Sequence, residues 1–195
     1  MSDASTPDHS GAAITILKIQ PRLTQGVAVS CAEFGPDGAI PDLYSAWHDN
    51  VSPPLTWSGV PDVGGWALIV EDPDAPRELP FVHWLIWNLP PESTALPAGI
   101  GHEAHPLTPH GAVQARNDGG ELGWMGPRPP AGHGVHRYYF QLFALDGLLE
   151  LGPEADLNAL TNAIKGRVLA QGQLVGTYER PDISPGEAAG AAASA

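Results

Sequence analysis

FVHWLIWNL, residues 81–89, is apolar at almost every position and carries two tryptophans and one histidine. Alternation with period two sets Phe81, His83, Leu85 and Trp87 on one face and Val82, Trp84, Ile86 and Asn88 on the other. Both faces are apolar, the pattern of a central strand covered on each side. Five more runs have strand composition: GVAVSCAEF (26–34), LTWSGV (55–60), GWALIVE (65–71), RYYFQLFAL (137–145) and QLVGTYER (173–180). They are rich in β-branched or aromatic residues and bounded by Pro, Gly or Asp. One helix is predicted, over DLNALTNAIKGRVLAQ (156–171), where Leu157, Leu160, Ile164, Val168 and Leu169 recur at helical spacing behind Asp156 as N-cap. It comes too late to alternate with strands. The chain therefore reads as mostly β, a β-sandwich with minor helices, and not as a doubly wound α/β fold.

The 195 residues suit one domain, since single domains run to roughly 50–250 residues. That domain is expected over 13–182, between disordered tails at 1–12 and 183–195, because the first is small and polar and the second is low in complexity. Nine Lys and Arg stand against 22 Asp and Glu, a formal net charge of -13. No basic cluster interrupts the acidic surface, which argues against nucleic acid as a partner. Cys31 is the single cysteine, so no intrachain disulfide forms, and its apolar, strand-like setting suits an inert residue. The first residues lack the pattern of a secretory signal, and no run approaches the roughly 18 apolar residues of a membrane span. A cytoplasmic location is the expectation.

EDPDAP, 71–76, follows an apolar strand, so Asp72 and Asp74 fall where the strand ends and a turn fixed by Pro76 begins. They can simply cap that turn, or act as a paired-carboxylate metal site. His83 lies near the entrance of its strand and His136 at the entrance of another, where alternation puts His136, Tyr138, Phe140 and Leu142 on one face. If the two strands share a sheet, two imidazoles, a phenol and the Asp72 carboxylate converge. Neutral imidazole N–H and tyrosine O–H donate hydrogen bonds, and a protonated histidine adds charge, so such a group can hold an anion. Asp72 would orient an imidazole and raise its pKa. The same residues also support a metal reading, with His133 and His136 three apart and His102, His105 and His110 in the preceding loop, but no spacing matches a metal motif. No nucleophile elbow, P-loop or dinucleotide fingerprint is present. Ser30, Ser45, Ser52 and Ser58 have no claim to be nucleophiles.

SPPLTW (52–57), DPDAP (72–76), FVHW (81–84), NDGG followed by GWMGPRPPAGHGVHRYYF, and LVGTYER (174–180) occur in this order. As a set they resemble the phosphatidylethanolamine-binding protein family, and most closely its bacterial, Raf kinase inhibitor-like branch. The resemblance covers nearly all of 15–180. It implies a Greek-key antiparallel β-sandwich with a pocket for phosphate, acetate or a phospholipid headgroup. Carried over position by position, the pocket aspartate falls on Asp72, its histidines on His83 and His136, and the following aromatic on Tyr138. Phe81 stands where animal members have a pocket tryptophan. Pro129 and Pro130 are the family's paired prolines, and Asp74 and Arg137 match positions that support the loop, with Pro76 beside them.

Three positions depart from the bacterial pattern. Arg128 stands where a cysteine is usual and Trp124 where a tyrosine is common, and a histidine is common near Arg167. Arg128 either adds a cation beside the anion site or points to solvent. The long C-terminal helix of animal members is not evident after Arg180.

The resulting expectation is a non-enzymatic protein, without cofactor or metal, that binds a small anion through Asp72, His83, His136, Tyr138, Phe81, Pro129 and Arg128. Regulation or inhibition of a kinase or protease, and a homodimer, follow from the resemblance alone. The alternatives are a hydrolase or metal-dependent enzyme using His83, Asp72 and His136, and an interaction module whose pocket is vestigial.

Overall fold

The structure, a computed structural model, describes residues 14–60 and 62–180. The two expected tails and the segment beyond Arg180 lie outside the described residues. In chain order the strands are β1 (Val29–Ser30), β2 (Gly38–Ala39), β3 (Leu55–Trp57), β4 (Gly65–Asp72), β5 (Phe81–Leu89), β6 (Ala95–Leu96), β7 (Val113–Gln114), β8 (Val135–Leu145) and β9 (Val168–Glu179), with helix α1 (Leu157–Ile164) before the last. They form a three-stranded sheet, β1-β3-β6, and a six-stranded sheet, β2-β9-β8-β4-β5-β7. The chain is mostly β with one α-helix, as its composition indicates. One pairing departs from the antiparallel expectation, because β2 runs parallel to β9.

The three long central strands have apolar residues on both faces because both faces are covered. On one side Trp66, Leu68, Val70, Trp84, Ile86, Phe140 and Leu142 pack with Leu55, Trp57 and Leu96 of the smaller sheet. The Trp57 and Trp66 rings meet there at 5.6 Å. On the other side Ile69, Leu85, Trp87 and Phe143 pack under Ile14, Ile16, Leu160 and Ile164. Glu71, fully buried on that second face, accepts the Thr15 N–H at 2.7 Å and a Gln141 amide N–H at 2.6 Å, fixing the N-terminal segment to the sheet.

The helix is half as long as its periodicity predicts. Asp156 caps it as expected, accepting the Ala159 N–H at 2.8 Å, but α1 stops at Ile164 and Gly166 has φ of +72°. Beyond that glycine, Val168 to Gln171 join β9 and pair with Leu145 to Phe143 of β8. Apolar residues spaced to suit one helical face also suit a strand buried at alternate positions, and tertiary pairing decides between them. The run 26–34 contracts in the opposite direction, to the two residues of β1.

Candidate functional site

The site begins with an irregularity in β5. Val70 faces Trp84 and the next residue, Glu71, faces Val82, so His83 is an extra residue without a partner on β4. Such a bulge re-aims a side chain. It turns His83 away from Leu85 and Trp87, which simple alternation had placed on its face, and towards the face of Tyr138 and Phe140. The His83 ring centroid lies 5.0 Å from that of Tyr138 and 4.8 Å from that of Phe81. The segment 117–125 receives the bulged edge: Asp118 and Met125 donate their N–H groups to the Val82 and His83 carbonyls, each at 2.9 Å.

Asp72 ends β4 beside the bulge. Its Oδ1 accepts the Asp74 N–H at 2.8 Å, closing the turn, and its Oδ2 accepts from His136 Nδ1 at 2.8 Å. Turn capping and site chemistry are thus two oxygens of one carboxylate. Asp74 continues the clamp by accepting from Arg137 N, Nε and Nη2 at 2.9, 2.8 and 2.6 Å. Burial acts to raise the Asp74 pKa, but the Arg137 hydrogen bonds and charge outweigh it and hold the carboxyl below its ordinary value. The turn after β4 is therefore tied directly to the start of β8.

His83 Nδ1 lies 2.6 Å from the Met125 carbonyl, and His136 Nε2 lies 2.7 Å from His133 Nδ1. Burial pushes the His83 pKa down, with the Asp72 charge opposing it, so the neutral ring is favoured. Tyr138 sits behind His83, fully buried, its hydroxyl without a hydrogen-bond partner among the described residues. Burial and then the Asp72 charge raise its pKa, so it stays a neutral phenol.

These groups surround a cavity of about 310 Å³. Asp72, His83 and His136 line it with Arg77 and Arg128, and Phe81, Pro76, Pro129 and Pro130 supply apolar wall. Tyr138 is not part of that lining; it supports the ring that is. The exposed Arg128 side chain does not simply extend into solvent, for its guanidinium lies 4.9 Å from the centre of the Trp47 ring, which also carries Arg180 at 3.7 Å. Arg77 pairs with Asp118 at 2.8 Å. Ala75, Arg77 and Met125 complete the lining and have no individual sequence signal beyond adjacency to DPDAP and GPRPP. His102, His105 and His110 are exposed. No group of three or more His, Cys, Asp or Glu among the described residues is placed to hold a metal ion.

The architecture defines a class: a two-sheet β protein with a small preformed cavity at one end of its larger sheet. The chain matches the Phosphatidylethanolamine-binding protein family over residues 30–179 and belongs to that family. It is 45% identical over 148 residues to a UPF0098 protein of Methanothermobacter thermautotrophicus, covering 75% of this chain and 95% of the relative. A UPF0098 protein of Pyrococcus horikoshii is 44% identical over 148 residues, 75% of this chain and 74% of its own. The crystal structure of Escherichia coli YbcL, titled a new member of the mammalian PEBP family, superposes with a TM-score of 0.74 at 30% identity, covering 80% of this chain and 99% of YbcL.

Proposed function

We propose that the protein is a non-catalytic binding protein whose cavity holds a small anionic group, phosphate or a phospholipid headgroup. The observation that carries this reading is the meeting of two buried imidazoles with the residues Arg77 and Arg128 in the lining of one cavity whose wall is otherwise largely apolar. Such a wall excludes water and strengthens the few polar contacts inside it. Support for a non-catalytic role comes from the hydrogen bonds of the histidines. Asp72 binds His136 and not His83, and among the described residues neither imidazole is bonded to a hydroxyl or thiol that it would activate. By resemblance to the family, the bound form regulates or inhibits a kinase or protease, and the chain forms a homodimer. No helix among the described residues is long and apolar enough to cross a membrane.

Calorimetric titration of phosphate and phosphoethanolamine into the wild type and His136→Ala tests the pocket. One-site binding that the substitution abolishes is expected, with circular dichroism showing that the variant folds. Absent binding, or binding indifferent to the substitution, sinks the reading. An esterase and phosphatase panel tests the non-catalytic part: turnover lost in His83→Ala would establish an enzyme instead. Inhibition assays against protein kinases and serine proteases, and sedimentation of the full chain, test the regulatory role and the homodimer.

A further inference from the structure

The protons of both cavity imidazoles are already committed. A carbonyl oxygen only accepts, so the 2.6 Å contact with Met125 places the hydrogen of His83 on Nδ1 and leaves Nε2 of the neutral ring as a bare acceptor. A carboxylate likewise only accepts, so His136 Nδ1 donates to Asp72. In the neutral ring His136 Nε2 then accepts from His133 Nδ1, which occupies it at 2.7 Å. Among the side chains lining the cavity, the polar wall therefore offers acceptors at Asp72 and His83 Nε2, while the ring nitrogens of His136 are both engaged, and the charged donors are Arg77 and Arg128.

An oxyanion with no proton sets its lone pairs against that wall. An oxyacid that keeps one proton donates its O–H to His83 Nε2 and turns its remaining oxygens to the guanidinium side. Sites that leave a buried polar group unmatched discriminate strongly between ligands of nearly identical shape. We infer that the cavity selects oxyanions that still carry a proton, such as hydrogen phosphate or a singly protonated phosphomonoester, over those that carry none, such as sulfate. This rests on the anion-binding reading above and adds to it the protonation state of the ligand. Binding of an unprotonated oxyanion requires one proton from solvent to form an N–H bond at His83 Nε2, so that the imidazolium supplies the donor the ligand lacks.

The surroundings of His83 agree with that assignment. It faces Asp72 from β4, His136 and Tyr138 from β8, and Asp118, itself paired with Arg77, from the segment that receives the bulge. Arg128 stands across the cavity. Burial is the largest influence on its pKa and favours the neutral ring, which accepts at Nε2.

Phosphate and sulfate are matched in size and differ in the proton, which makes them the probes. Each is titrated calorimetrically into the full chain at about pH 8 and about pH 5.5, values on either side of the ordinary imidazole pKa. At the higher pH phosphate should bind at least about tenfold more tightly, the discrimination of one well-placed hydrogen bond. At the lower pH the gap should close to within about threefold, as sulfate affinity rises with His83 protonation. Buffers of different ionisation enthalpy should report uptake of about one proton per bound sulfate at the higher pH. In His83→Gln, whose amide supplies a donor, the sulfate affinity should lose its pH dependence; should that variant not fold, the wild-type comparison still decides. Equal affinities at both pH values without proton uptake would overturn the inference and leave the anion pocket standing. Binding of neither ion at either pH would remove both.

Discussion

His83 is buried as a neutral imidazole, and that fixes the sign of a pH effect on stability. Its folded pKa lies below the value of about 6.5 of an unfolded chain, so over the intervening window the unfolded state binds a proton that the fold does not. Stability is full above about pH 6.5 and falls as the pH drops below it, by at most about 1.4 kcal/mol per pH unit from this group. Urea unfolding should show the midpoint falling between about pH 7 and about pH 5.5, with a shallower slope in His83→Gln; an unchanged slope would contradict the assignment. Arg128 calls for a different measurement. It lines the cavity and stacks on Trp47, so Arg128→Ala should weaken phosphate binding by about three- to tenfold in calorimetry, as loss of a partly exposed cation does. Affinity unchanged in that variant would place the side chain outside the site.

At the scale of elements, the cavity depends on how strand ends are joined. Gly126 precedes the proline wall and donates its N–H to Asn50 Oδ1 at 2.7 Å. A Cβ there would come within 2.0 Å of the Tyr44 carbonyl oxygen, a backbone atom that cannot swing aside. Gly126→Ala should therefore cost about 1–3 kcal/mol in denaturant unfolding, and weaken phosphate binding because it shifts the adjacent Met125 carbonyl that sets the His83 tautomer. Wild-type stability in that variant would mean that the segment moves freely. The long strands were legible in the sequence because burial on both faces leaves a continuous apolar run, as in GWALIVE and FVHWLIWNL. The bulge at His83 was not, since one unpaired residue changes no composition and shows only in the register with β4. The two-residue strands β2, β6 and β7 are too short for periodicity to mark. Val168 and Leu169 suited a helix until their pairing with β8 was known.

For the molecule as a whole, the core is divided in two by the larger sheet, and the cavity opens at the end of the layer shared with the smaller one. Against a net charge of -13, the anion binding proposed for the cavity rests on local chemistry and not on the general field of the protein. Asp72, His83 and His136 were legible as candidates because they stand at the ends of apolar runs and match the family's pocket positions, although alternation assigned His83 to the wrong face. His133 and Met125 were not, the one lying in a loop without period and the other acting through its main-chain carbonyl. The most direct test of the account is an imidazole nitrogen–proton correlation spectrum of the labelled protein during a phosphate titration. The signals of His83 and His136 should move together and saturate, while those of exposed His105 and His110 stay in place. Saturating phosphate that leaves both buried imidazoles unmoved, or shifts only the exposed histidines, would contradict it.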